Sequence, residues 1–253
     1  MPFAILQSTL DIPSVDSLRN AFRSVQCLTD IDAFTLGRDA YGILVKNLSS
    51  QDAAALQGAL KVEGVETDIV DQQLLPPIPQ GRVVHRLDCL PDALRVYDPV
   101  GRTFPVDWSH IMLIAAGQVK VSEFERIERK VPGTIRRDLY GNPDPYEPPV
   151  EYFTRERQLD RCLLEIVLTQ GVLRYSAQAR KFNFQYLKDR KARDPIHNFK
   201  LVVSDLLSHA PRAIMNRGAY FIREQADELF SYPSKNAFLE EMTWILWRAK
   251  NAA

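Results

Sequence analysis

Val83-Val84-His85-Arg86-Leu87-Asp88-Cys89, followed by Leu94-Arg95-Val96-Tyr97-Asp98-Pro99-Val100-Gly101, is the stretch whose reading decides the fold class. Val83, His85, Leu87 and Cys89 alternate with Val84, Arg86 and Asp88, the period of a strand with two different faces. Asp98-Pro99-Val100-Gly101 supplies a turn, because proline presets φ and glycine tolerates φ > 0. Leu94, Val96, Phe104 and Val106 continue the pattern toward Trp108 and a further apolar run. Short alternating runs joined by such turns predict antiparallel strands over 82–128.

Upstream, Leu74-Leu75-Pro76-Pro77-Ile78-Pro79-Gln80 breaks regular pairing and stiffens the connection, which places a boundary there. Charge changes sign across it. Residues 1–80 carry ten acids and five bases, a net −5, so the remainder of this neutral 253-residue chain carries +5. The expected division is 1–75 and 80–253. In the first part, Phe3 and Ile5 open a strand, and Pro13-Ser14 starts a helix with Val15, Leu18, Phe22 and Val25 on one stripe. Ile31–Phe34 and Tyr41–Leu48 read as strands around Gly37-Arg38-Asp39. Ser49 or Ser50 caps a helix buried through Ala53, Leu56 and Leu60, with Gly64 at its left-handed end and Val65–Val70 as a last strand. The order βαββαβ resembles a ferredoxin-like module, a fold shared by small-molecule sensors, metal carriers and docking modules. No C-x-x-C supports the metal branch, so the resemblance favours docking or dimerisation.

Downstream, Leu94–Asp98, Gly101 and Phe104-Pro105-Val106-Asp107-Trp108-Ser109-His110-Ile111 resemble the bent strands of small pleckstrin-homology-like barrels, in which a tryptophan precedes an isoleucine entering the next element. That resemblance carries a fold expectation and no functional residue. The proline-rich stretch at 131–157 reads as a long loop. Leu163–Leu168 and Val172–Ala177 flank Thr169-Gln170-Gly171 as a hairpin over 160–178. Helices follow over 194–250. Asp194-Pro195 starts the first, a short one runs through Ile214 and Met215 to Gly218, and the last spans Ser234–Ala249 with Trp244 and Trp247 packing on a sheet. The fold class is therefore α+β.

Chemistry is sparse. His85, His110, His197 and His209 form no H-E-x-x-H, and no nucleophile-elbow or dinucleotide motif is present. No cofactor is expected. The three cysteines are far apart in sequence, which predicts reduced thiols and a cytoplasmic setting. No apolar run approaches the roughly 20 residues that span a bilayer. The densest signal is basic and aromatic. Arg174, Arg180, Lys181, Phe182, Phe184, Lys188, Arg190, Lys191 and Arg193 lie in a stretch of net +6. Such interleaving suits single-stranded nucleic acid, through stacking and phosphate contacts. Yet Phe182, Phe184 and Leu187 also have the spacing of core anchors, and a charge run is more often a solvated face, so nucleic-acid binding is not the favoured reading. The favoured expectation is an interaction or scaffold protein with a protein partner or self-association. Nucleic-acid binding, or an enzyme or small-molecule sensor assembled from distant residues, is the alternative. The charge partition also predicts that the acidic first part meets the basic 174–193 stretch.

Overall fold

The computed structural model describes residues 1–39, 41–130, 150–169 and 172–251. It has two compact units, 1–120 together with 161–253, and 121–160.

The larger unit begins with β1 (Phe3–Gln7), α1 (Val15–Phe22), α2 (Asp30–Asp39), β2 (Ile43–Leu48), α3 (Ser50–Val62) and β3 (Thr67–Asp71). Their sheet has the order β2-β1-β3, with both neighbours antiparallel to β1. Strand alternation sends Ile5 toward Leu18, Phe22, Leu56 and Leu60, while Ala4 and Leu6 face the other way with Ile43 and Val70. The second face is closed by Leu75, Trp244 and Trp247.

The expected βαββαβ order is not what forms, because Ile31–Phe34 is helical and the sheet has three strands. The local cause is a capping box. Asp32 Oδ2 accepts from the Thr29 N–H at 2.7 Å, and Thr29 Oγ1 accepts from the Asp32 N–H at 3.3 Å. Ile31 and Phe34, which suggested a strand, are 77% and 59% exposed, and Ala33 alone of these four is buried.

The chain continues through β4 (Gly81–Val83), β5 (Arg86–Cys89), β6 (Ala93–Tyr97), β7 (Thr103–Asp107), β8 (Ile111–Lys130), β9 (Val150–Leu168) and β10 (Arg174–Gln178). Then come α4 (Pro195–His209), β11 (Ile214–Met215), α5 (Arg217–Arg223), β12 (Ser231–Tyr232) and α6 (Lys235–Asn251). β5-β6-β7 is the expected antiparallel meander, with Gly101 at φ +88° in its turn. β4 leaves it and pairs in parallel with β10, in a sheet of order β11-β8-β9-β10-β4. The switch occurs between two adjacent residues. The Val84 N–H donates to the Ser176 carbonyl at 2.9 Å, and the His85 N–H to the Tyr97 carbonyl at 3.2 Å. The strands stay open, and the described residues form no closed barrel of the pleckstrin-homology kind.

The main core joins Leu87, Leu94 and Val96 of the meander to Leu164 and Ile166 of β9 and to Val203 and Leu206 of α4. β9 and β10 make the expected hairpin, although Gln170 and Gly171 of its turn lie outside the described residues. Of the loop read at 131–157, residues 150–157 belong to β9, and 131–149 are outside the described residues. Beyond the prolines, Tyr152, Phe153 and Thr154 suit a pleated strand.

Ile214 and Met215 are not helical. They pair in parallel with Leu113 and Ile114, and α5 begins only after Asn216. Asn216 is fully buried and saturates its amide. Oδ1 accepts from the Ala116 and Ala219 N–H groups, and Nδ2 donates to the Ala116 carbonyl and the Tyr232 hydroxyl. Here Gly218 presses on the sheet so closely that a Cβ would sit 1.9 Å from the Ala116 oxygen. No described helix is long and apolar enough to cross a membrane.

In the smaller unit, the described residues are the far ends of β8 and β9. Nearly all their side chains are exposed, and the Arg126 guanidinium lies 3.7 Å from the centre of the Tyr152 ring.

Candidate functional site

α6 presents Glu241, Trp244, Ile245 and Arg248 on one stripe, the i, i+3, i+4, i+7 spacing of a helix face. Opposite stand Met215 of β11 and Arg217, Tyr220 and Phe221 of α5, and Leu10 closes one side. Between them lies a cleft of about 420 Å³ with nearly all-apolar walls. Its size falls in the range that holds small ligands, roughly 300–1,000 Å³.

Two arginines border it, each held from several sides. Arg217 donates its side-chain N–H to the Leu10 carbonyl and its backbone N–H to Glu241 Oε1 at 2.9 Å. Its guanidinium lies 5.1 Å from the Tyr41 ring centre and 5.6 Å from that of Phe230. Arg248 donates to the Ser8 carbonyl at 2.7 Å, pairs with Asp68 at 3.3 Å and lies near the Trp244 and Trp247 rings. Guanidinium groups braced in this way lose little further freedom on meeting an anion.

Behind the cleft is a buried acid. Glu241 is fully buried, and its Oε2 has no hydrogen bond of ordinary geometry, although the Tyr232 hydroxyl faces the carboxylate. Burial pushes the Glu241 carboxyl above its ordinary range, against the opposing pull of Tyr232 and Arg217. Burial, with Glu241 beside it, also pushes the Tyr232 phenol well above its usual value. Perturbed titratable groups beside an apolar cleft mark a candidate binding site.

The basic-aromatic stretch is dispersed. Arg174 is buried in the sheet 3.6 Å from Glu165, whose carboxyl is raised mainly by burial. Arg180 and Lys181 are exposed on a 3₁₀ turn. Phe184 is buried and Phe182 half-buried, their rings 5.1 Å apart and packed into the main core. Arg190 makes a two-pronged pair with Asp205, at 3.0 and 2.6 Å, which holds its guanidinium charged. Lys191 and Arg193 are exposed.

Lys188, at φ +48°, and Arg190 line a second cleft of about 560 Å³ with Arg86 and Asp88. There Arg86 is already bound by Asp88 through two contacts of 2.8 Å, and burial pushes the Cys89 thiol up to about 12. Most of the cations are therefore exposed while the aromatic rings are packed away. The described ion pairs that tie residues 1–75 to the later chain, Lys46–Glu240 and Arg248–Asp68, run to α6 and not to 174–193.

Sequence reading missed Arg217, Glu241 and Arg248. The available signal was Glu241 and Arg248 on the same helical stripe as Ile245, which places charges on a core-facing side. Among the described residues no group of three or more His, Cys, Asp or Glu could hold a metal ion. No protein-family model, curated protein or solved structure matches the chain.

Proposed function

We propose that this protein binds a small amphipathic acid, its apolar body between Met215, Phe221, Trp244 and Ile245 and its anionic end at Arg217 and Arg248. The observation that carries this reading is two braced guanidinium groups at the border of an otherwise apolar cleft. The expected division at 74–80 belongs with the proposal. Leu10 comes from the first segment and α5 and α6 from the second, and ligand sites favour such junctions.

Anilinonaphthalene sulfonate, an aromatic anion, tests the site. Its fluorescence should rise at a stoichiometry of one and fall on competition with decanoate, while decanol should displace it at least tenfold more weakly. Arg217→Gln with Arg248→Gln should remove the preference for decanoate. Equal displacement by decanoate and decanol, or an unchanged preference in the double variant, overturns the reading.

Protein interaction is the second reading. The observation favouring it is the exposure of Phe124, Tyr152 and Phe153 in the unit 121–160. Nucleic-acid binding through 174–193 has phosphate contacts to offer, but Phe182 and Phe184 are committed to the core.

A further inference from the structure

Beyond Val119, β8 has one described strand neighbour, β9, because β11 and β12 pair with β8 only at Leu113, Ile114, Gln118 and Val119. Among the described residues no strand pairs with the opposite edge of Glu125–Arg129, so backbone N–H and C=O groups there are open to pairing. A two-stranded ribbon exposed on both faces is marginal by itself. Phe124 is 71% exposed, and Ile127, on the other face of the strand, is 37% exposed.

The sequence on that edge says what covers it. Glu125-Arg126-Ile127-Glu128-Arg129 has a charge order that is its own complement when the strand is reversed. Laid antiparallel on a second copy about an axis through Ile127, it sets Glu125 opposite Arg129 and Arg126 opposite Glu128, each twice. Directly opposite residues in an antiparallel pair point to the same face, so all four contacts are between true cross-strand neighbours. Moving the axis by one residue in either direction puts Arg126 or Glu128 opposite its own copy. A twofold axis also makes the contact closed and isologous, which limits it to a dimer. The described end of β9 is a poorer match. Around Thr154 only Glu151 and Arg157 complement each other.

We infer that the edge of β8 at Glu125–Arg129 is a dimerisation strand, whose partner is the same segment of a second copy of this chain. The inference is independent of the ligand cleft.

Sedimentation equilibrium of the full chain tests it, with two charge-sorted variants. Arg126→Glu with Arg129→Glu makes the segment all acidic. Glu125→Arg with Glu128→Arg makes it all basic. The parent should show the mass of two chains, with dissociation favoured by added salt. Each variant alone should dissociate roughly tenfold or more readily, since like charges then stand opposite. An equimolar mixture should recover a dimer containing one of each, detected by a mass tag on one variant. Recovery on mixing also shows that both variants are folded. A monomeric parent, variants that dimerise as tightly as the parent, or a mixture that stays monomeric overturns the inference.

Discussion

Trp244 Nε1 donates to the Gln7 carbonyl at 2.7 Å, and the same indole lies on Gly42, where a Cβ would stand 2.4 Å from Trp244 Cγ. The last helix is thereby seated on the first sheet. Gly42 also has φ +90°, a conformation an L side chain resists. Gly42→Ala should cost about 2–4 kcal/mol from backbone strain and overpacking together. Chemical denaturation would read this directly, and a loss below about 0.5 kcal/mol would show that the indole has room to move.

Ala4, Leu6, Ile43 and Val70 rely on Trp244 and Trp247 for cover. Deleting residues 235–251 should therefore strip amide-exchange protection from β1, β2 and β3, even though all three strands lie before residue 75. Retained protection would mean that α1, α2 and α3 alone stabilise the sheet.

Glu241 gives a pH dependence of defined sign. Unfolded, its carboxyl titrates near 4.5; folded, burial raises it. Between the two values the folded state binds more protons, so stability from this group is full below 4.5 and falls as pH rises through the raised value. Glu241→Gln keeps an acceptor for the Arg217 N–H and removes the titration. Denaturation from pH 4.5 to 7 should show the variant gaining on the parent as pH rises. Parallel curves would contradict the assignment.

The thiols should separate by reactivity. Cys27 is exposed, whereas Cys89 is buried with its pKa pushed up to about 12, which leaves almost no thiolate at pH 8. Mass spectrometry of iodoacetamide-treated native protein should show Cys27 modified first and Cys89 only after unfolding. Early labelling of Cys89 would contradict its placement.

Phe184 discriminates between a core anchor and a stacking platform. Buried as it is, Phe184→Ala should cost about 3–5 kcal/mol. Any oligonucleotide affinity of the folded protein, measured by anisotropy, should follow Lys181 and Lys191 and vary with salt. A stable Phe184→Ala variant that loses oligonucleotide binding would reverse the assignment.

What the sequence determined by itself is the set of features whose causes lie within a few residues. Ser14, Ser49 and Asp194 cap their helices as their positions predict, Gly64 and Gly101 take the left-handed φ values their turns require, and β9 with β10 forms a local hairpin. Even the error at Ile31–Phe34 was local, since Thr29 and Asp32 carried the helix signal three residues apart. Long-range pairing came only with tertiary packing. An alternating run specifies two faces but not a distant neighbour, so while the β5-β6 meander is local, nothing local could send β4, just upstream across Val84 and His85, to pair with β10. The cleft has the same origin. Leu10, Arg217 and Arg248 meet across more than two hundred residues of chain, and Glu241, although its stripe faces the core, acquires its partners only when packing removes it from water. Burial and long-range pairing belong to the assembled chain, because the energy of desolvating a charge or completing a sheet depends on neighbours that only folding supplies.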